Sequence, residues 1–96
     1  MSYKTSIVNI SGKKDNDIML FTLSTCIWCK KTKQLLKDLG LEYNYVDVDL
    51  LTGSDQDEAY NEMWKHNQST SFPTIIINGE KIIIGFDEDE LRNLSK

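Results

Sequence analysis

The side chains best suited to carry chemistry in this chain are its two cysteines, Cys26 and Cys29. They are three positions apart, so on a helix they lie within one turn, near enough to form a disulfide if the side chains point together. An apolar run precedes them and a helical pattern follows, which places Cys26 at a helix N-terminus, where a thiolate is favoured. Lys30 adds stabilising positive charge in the same turn, as do Lys31 and Lys33, although we expect each of these side chains to be solvated and its charge screened. We expect Cys26 to attack a disulfide and Cys29 to resolve the mixed disulfide.

Three other uses of the cysteine pair compete with this hypothesis. A structural disulfide across so short a loop gains little entropy, and the N-terminal residues lack the apolar stretch of a secretory signal. A zinc site needs four ligands, whereas this chain has two cysteines and one histidine, so only a dimer sharing a metal or an iron–sulfur cluster would suffice. The two thiols could also be buried and inert. A Cys-x-x-Cys pair after a strand in a βαβ unit is typical of a thioredoxin-like redox motif.

The elements that must position the cysteines form a βαβ unit. Residues 18–23 are apolar on both faces, which is typical of a buried central strand. Residues 27–39 have the spacing of an amphipathic helix, whose apolar positions are Thr32 (through its methyl group), Leu35, Leu36 and Leu39. Residues 42–48 alternate and contain tyrosine and valine, which favours a second strand. The order strand, helix, strand predicts two parallel strands with a right-handed connection.

A second helix is predicted over residues 55–66. Gly53 and Ser54 offer a turn and an N-cap, and the apolar stripe of the helix consists of Ala59, Tyr60, Met63 and Trp64. We expect the last three in core or half-exposed packing. The opposite face is acidic. An acidic face could contact a protein partner, although most charged runs are simply solvated.

A hairpin and a third helix follow. Residues 74–78 and 81–84 are isoleucine-rich strands separated by an Asn-Gly pair, which is the strongest short hairpin signal. Asp87, with Glu90 three residues later, resembles a capping box for a last helix that carries Leu91 and Leu94. The hairpin adds two antiparallel strands to the parallel pair.

The predicted fold class is therefore α/β, with a four-stranded mixed sheet built from βαβ and ββα and flanked by three helices. We expect a single domain over residues 1–96, with a core at 18–95 and an N-terminal extension at 1–17. Within the extension, residues 6–10 could add an edge strand to the sheet. Residues 12–17 are polar and predict a loop.

Composition and charge exclude several classes of function. The chain is 40% hydrophobic and 27% charged, as in ordinary globular domains. Its longest apolar runs, residues 18–21 and 26–29, are four residues long, far short of the roughly 20 residues of a membrane span. Residues 1–40 contain seven lysines and three acids, and residues 41–96 contain four basic and twelve acidic residues, for a net charge of −4. Nucleic acid is therefore not an expected partner. We expect a monomer in the cytoplasm, with no membrane contact.

Three blocks of the sequence resemble the signature blocks of glutaredoxins, in the same order and spacing. They are residues 21–29 (FTLSTCIWC), 71–79 (SFPTIIING) and 84–87 (IGFD). The resemblance covers most of residues 18–95. It implies a thioredoxin fold, dithiol–disulfide oxidoreductase activity, and a cis peptide bond before Pro73 that faces the cysteines.

The same resemblance implies where a substrate binds. The Phe72 backbone would pair with a bound thiol or peptide as an added strand. The substrate- and thiol-binding residues implied in this way are Thr25, Trp28, Phe72, Pro73, Gly85, Phe86 and Asp87. The Trp28 ring either packs on the substrate or lies over its own helix, and Asp87 has an alternative role as a helix N-cap.

Which reductant the protein uses depends on two positions at which the chain departs from the family pattern. Leu23 stands where glutaredoxins commonly carry a lysine that meets a glutathione carboxylate, and Gly85-Phe86 stands in place of Gly-Gly. Phe86 makes the chain similar also to glutaredoxin-like hydrogen donors that a reductase recharges. The family implies no tightly bound cofactor or metal, protein or small disulfides as substrates, and glutathione, another small thiol or a protein reductase as electron source. The alternative hypothesis is a carrier protein, in which Cys26 of two chains and small-thiol co-ligands hold an iron–sulfur cluster.

Overall fold

The structure, a computed structural model, describes residues 3–68 and 71–95. In these ranges the strands are β1 (Val8–Ile10), β2 (Ile18–Thr22), β3 (Tyr43–Asp47), β4 (Thr74–Ile77) and β5 (Lys81–Ile84). The α-helices are α1 (Ile27–Asp38), α2 (Gly53–His66) and α3 (Glu88–Asn93), and two short 3-10 helices are Tyr3–Ser6 and Val48–Leu50. The predicted strands and helices all occur, with ends within two residues of the expected ones where bounds were predicted.

The strands form one mixed sheet in the order β1-β3-β2-β4-β5. β2 and β3 are parallel, with Phe21 opposite Val46, as expected for a βαβ unit. β4 runs antiparallel to β2 and pairs with β5 as a hairpin. β1 pairs antiparallel with β3 at the other edge. The predicted four-stranded mixed sheet is confirmed, and the extra N-terminal edge strand extends it to five strands.

Each face of the sheet carries a hydrophobic core, because the side chains of the central strand β2 alternate between the two faces. Leu20 packs in the core that α1 and α3 cover, together with Leu36 and Leu91. Phe21 packs in the core on the opposite face, together with Met63 of α2. All five side chains are 0% or 1% exposed. The sheet is thus covered by helices on both faces, which fixes α1 firmly against β2.

The buried stripe of α1 determines which way each cysteine faces. The buried residues of this helix are Cys29, Thr32, Leu35 and Leu36, which share one face at helical spacing. Beyond the helix, Gly40 has a φ of 72°, a left-handed conformation that glycine adopts without steric strain. Because Cys29 belongs to the same stripe as the core leucines, it faces the interior, whereas Cys26 lies before the first helical residue.

The start of α2 differs from the prediction. The helix begins at Gly53 and its N-cap is Thr52, not Ser54; Gly53 has a φ of 57°, so the chain turns into the helix before Ser54 is reached. In the predicted stripe, Met63 is buried and Trp64 is 54% exposed, in line with the expectation of core or half-exposed packing. In the described ranges, every helix is too short or too polar to cross a membrane.

The N-terminal segment contacts the sheet more extensively than its sequence predicts. Tyr3 is buried, and its ring lies against Phe21 with 5.9 Å between the ring centroids. Lys13, in the segment predicted as a loop, forms an isolated parallel bridge with Leu41. Next to it, a Cβ atom on Gly12 would lie 2.6 Å from the Leu41 carbonyl carbon. A glycine is therefore required where this segment crosses the chain that leads into β3.

Candidate active site

Cys26 is the N-cap residue of α1. Its backbone is extended, with φ −82° and ψ 117°, and its Sγ accepts a hydrogen bond from the Cys29 backbone N–H at 3.2 Å. The turn before it is closed by a hydrogen bond from the Cys26 N–H to the Leu23 carbonyl at 3.1 Å. At this position the free N–H groups of the first helical turn and the helix dipole favour negative charge. The predicted placement of Cys26 at a helix N-terminus is confirmed.

Cys29 lies in a different environment. It is 0% exposed, whereas Cys26 is partly exposed. Burial, reinforced by a hydrogen bond to Cys26, raises the pKa of the Cys29 thiol to about 12, against smaller opposing effects of the Leu23 backbone and the Lys33 charge. Cys29 is therefore a neutral thiol near pH 7. The pair consists of one partly exposed sulfur at the helix N-cap and one buried thiol.

An apolar groove is lined on one side by Trp28, which follows Cys26 by two residues in the sequence. It has a volume of about 280 Å³ and is lined by Trp28, Phe72, Gly85 and Phe86. The rings of Trp28 and Phe86 stack with 5.8 Å between centroids and 27° between planes, and Trp28 is 51% exposed. The Lys31 ammonium lies 4.7 Å from the centre of the Trp28 ring. The Trp28 ring thus lines the groove and also contacts its own helix.

The far wall of the groove consists of two loops that are joined by a backbone hydrogen bond. The Gly85 N–H donates to the Pro73 carbonyl at 2.9 Å, and Gly85 has a φ of 78°, so glycine suits this turn. The Phe72–Pro73 peptide bond is cis, as the resemblance implies. The Phe72 ring meets Tyr60 of α2 edge-on, with 6.2 Å between centroids and 84° between planes. α2 therefore contacts the Phe72 side of the groove wall through Tyr60.

Besides the two cysteines and Pro73, three predicted site residues are not among those that line the groove, namely Thr25, Lys30 and Asp87. Asp87 is the N-cap of α3, and its carboxylate accepts a hydrogen bond from the Glu90 N–H at 3.2 Å. The structure therefore shows Asp87 in the helix-capping role that was the alternative to substrate binding. The Glu90 carboxylate pairs instead with Lys81 Nζ at 2.9 Å. Thr25 and Lys30 are exposed, in the turn before Cys26 and in the first turn of α1.

Asp49, which was not predicted as a site residue, holds the turn in front of Cys26. Its carboxylate accepts hydrogen bonds from the Ser24 N–H at 2.8 Å and from the Ser24 hydroxyl at 2.5 Å. The bond to the hydroxyl, followed by the bond to the backbone, lowers the pKa of Asp49. Asp49 follows β3, and the carboxyl ends of parallel strands meet at one edge of a sheet. That placement is the signal that could have identified it from the sequence.

Comparison with known proteins agrees with this geometry. The glutaredoxin family model matches residues 18–82. A glutaredoxin-like 8.6 kDa protein in the rubredoxin operon of Clostridium pasteurianum is 35% identical over 77 residues, covering 80% of this chain and 95% of that protein. The crystal structure of the glutaredoxin from Methanosarcina mazei Go1 has 48% identity and a TM-score of 0.85, covering 94% of this chain and 87% of the other. Methanoredoxin from Methanosarcina acetivorans has 48% identity and a TM-score of 0.84, covering 88% of each chain.

These similarities extend over the sheet, the helices and the cysteine pair. The fold is a thioredoxin fold with one additional edge strand. Glutaredoxins are thiol oxidoreductases, and the pair that such chemistry needs is present here as Cys26 and Cys29, three residues apart at the start of α1. The chain belongs to the glutaredoxin family and is a thiol oxidoreductase.

Proposed function

We propose that the chain is a dithiol–disulfide oxidoreductase in which Cys26 is the nucleophile and Cys29 is the resolving cysteine. The observation that carries this proposal is the asymmetry of the pair. Cys26 is partly exposed at the N-cap of α1, whereas Cys29 is 0% exposed and has a pKa raised to about 12. The thiolate is the reactive form of cysteine and must be reached by the substrate. Both requirements favour Cys26 as the attacking residue.

The reaction consists of two thiol–disulfide exchange steps. The Cys26 thiolate attacks one sulfur of the substrate disulfide, a Cys26–substrate bond forms, and the other substrate sulfur leaves as a thiolate. Cys29 then loses its proton and attacks the Cys26 sulfur, which releases the second substrate sulfur and leaves a Cys26–Cys29 disulfide. Two electrons have passed to the substrate. Two thiols, or a reductase, return them to the cysteine pair.

The groove beside Cys26 is the proposed substrate site. Trp28, Phe72 and Phe86 offer apolar surface there, and such surface favours substrates whose disulfide is flanked by apolar groups, as in proteins and peptides. An extended substrate could also pair with the Phe72 backbone as an added strand. Lys30, exposed in the first turn of α1, contributes positive charge near the thiolate.

Turnover with two electron sources tests the proposal. The purified protein is assayed for reduction of a small disulfide, once with glutathione and glutathione reductase and once with a thioredoxin-type reductase system. We expect turnover with both and the lower rate with glutathione, because Leu23 stands where the family lysine would meet a glutathione carboxylate. Cys26→Ser is the control that must be inactive in both assays.

Each outcome of this comparison has a distinct meaning. A higher rate with glutathione would show that Leu23 and Phe86 are tolerated in glutathione binding, and the expected order of the two reductants would be wrong. Absence of turnover in both assays would contradict the proposed activity. In that case, iron and colour in an anaerobically purified dimer would favour the cluster carrier instead.

A further inference from the structure

The resolving step requires Cys29 to lose a proton in the protein interior. Cys29 is 0% exposed, and after the first exchange the Cys26 sulfur is bonded to the substrate and no longer carries a negative charge that could accept the proton. The groove supplies no charge either, because none of its lining residues is ionisable: Trp28, Phe72, Gly85 and Phe86. A group that stabilises the Cys29 thiolate must therefore lie elsewhere around α1.

Lys33 is suited to this role by its position. It follows Cys29 by four residues on α1, so the two side chains share one face of the helix. Its side chain is only 20% exposed, and its Nζ lies 3.9 Å from the centre of the Tyr45 ring, where a cation is attracted to the ring face. The charge of Lys33 lowers the pKa of the Cys29 thiol, although burial has the larger effect in the opposite direction.

Asp47, the last residue of β3, holds the Lys33 ammonium in place. Its Oδ1 lies 3.1 Å from Lys33 Nζ, and its side chain is 16% exposed. The hydroxyl of the fully buried Thr22 lies 2.6 Å from the same oxygen and 3.1 Å from the Val46 carbonyl. An ion pair that is largely shielded from water and fixed by a third group restricts the lysine far more than an exposed pair would.

We propose that Lys33 is a positioning residue of the resolving step: held by Asp47 and Tyr45, its ammonium group stabilises the Cys29 thiolate that attacks the mixed disulfide. This inference rests on the proposed function. In the attack the Cys29–Cys26 bond forms, the Cys26–substrate bond breaks, and the substrate sulfur leaves with the electron pair. The proton that Cys29 released to solvent is balanced by the proton that the substrate thiolate takes up. Lys33 keeps its own proton throughout.

The other groups around the resolving thiol do not supply this charge. On α1, the Cys26 sulfur is neutral in the mixed disulfide, and the cations Lys30 and Lys31 are exposed, so water and salt screen their charges. β2 and α3 place uncharged buried side chains in the interior, Thr22 and Leu91. β3 contributes Asp47, whose negative charge would oppose a second anion and is neutralised by Lys33. Lys33, the cation of the Lys33–Asp47 pair, is thus the group whose charge can stabilise the Cys29 thiolate.

A two-phase stopped-flow assay isolates the step. The reduced protein is mixed with a chromogenic aromatic disulfide, so that attack by Cys26 releases one coloured thiolate and resolution by Cys29 releases a second. We expect Lys33→Met to slow the second phase about three- to tenfold at each pH from about 6 to 9, since a smaller thiolate fraction outweighs the greater nucleophilicity of a more basic sulfur. The first phase should be unchanged. Lys33→Arg, which keeps the charge, should restore most of the rate of the second phase.

Lys37→Met is the matched control, because it removes the same charge from an exposed position one turn further along α1. It should leave both phases unchanged. An unchanged second phase in Lys33→Met, equal slowing of both phases, or failure of Lys33→Arg to restore the rate would overturn the inference. Failure of the proposed function looks different, since the unsubstituted protein would then release no thiolate in the first phase or would fail to release a second.

Discussion

The Cys26→Ser variant is expected to reduce disulfides at least roughly a thousandfold more slowly than the unsubstituted protein, as removal of a nucleophile typically does. A serine hydroxyl is not ionised at neutral pH and does not exchange with disulfides, and the remaining thiol, Cys29, is 0% exposed with a pKa raised to about 12. The fold should persist, because serine is a preferred N-cap and its oxygen can accept the hydrogen bond that Cys26 Sγ now accepts from the Cys29 N–H. Steady-state turnover and a thermal melt measure the two effects separately.

Cys29→Ser is the matched control for this prediction. It retains the attacking thiolate at the N-cap of α1 and removes only the second exchange. We expect it to form mixed disulfides at an undiminished rate but to lose turnover of substrates that need both thiols. If Cys26→Ser kept its turnover while Cys29→Ser failed to form a mixed disulfide, the roles of the two cysteines would be reversed.

The Leu36→Ala variant is expected to lose about 3 kcal/mol of the free energy of unfolding, the middle of the range for leucine truncation in a core. Leu36 is 0% exposed and packs in the core that joins α1 to β2 and α3, in the company of Leu20 and Leu91. Truncation removes buried apolar surface and leaves a cavity that close-packed neighbours fill only in part. Urea denaturation monitored by circular dichroism measures the change.

Leu50→Ala is the control for this stability prediction, because it makes the same chemical change at a side chain that is 68% exposed. Its free energy of unfolding should change by less than about 0.5 kcal/mol. Equal effects of the two substitutions would contradict the described packing of α1. Because this packing also turns Cys29 inward, we expect Leu36→Ala to make Cys29 more accessible to alkylation as well.

Local sequence signals were sufficient for the βαβ unit and the placement of the cysteine pair. The apolar run of β2 and the helical spacing of Thr32, Leu35 and Leu36 have different periods, and the change of period falls at Cys26. A hairpin with an Asn-Gly turn is similarly local, so the positions of β4 and β5 were also predictable. Periodicity locates elements well when one face is buried and the other is not.

The polar contacts behind the site were not predicted, because they join residues that are distant in the sequence. Lys33 and Asp47 are 14 residues apart, and Ser24 and Asp49 are 25 residues apart. Lys33 resembles any lysine of an amphipathic helix until its partner is known. The predicted parallel pairing of β2 with β3 brings their carboxyl ends together and so indicates that Asp47 and Asp49 lie near the cysteine turn. Which side chains they bind follows only from the structure.

In the N-terminal segment and in α2, the sequence likewise does not predict which apolar side chains are buried. Nothing in the polar neighbourhood of Tyr3 indicates burial, which arises because its ring fits against Phe21 on the sheet. In α2, helical spacing predicts core or half-exposed packing for both Met63 and Trp64 without distinguishing them, and the structure shows Met63 buried and Trp64 54% exposed. Ala59 and Met63 are the buried residues of α2 and pack in the core with Phe21.

The asymmetry of the cysteine pair is tested most directly by brief alkylation of the reduced, unsubstituted protein with iodoacetamide at neutral pH. Tryptic cleavage after Lys14 and Lys30 places both cysteines in one peptide, and fragment ions that break between Cys26 and Cys29 assign the label. Because alkylation follows thiolate character and access, we predict that Cys26 is labelled at least about tenfold faster than Cys29. Equal labelling, or faster labelling of Cys29, would contradict the account of an accessible nucleophile paired with a buried resolving thiol.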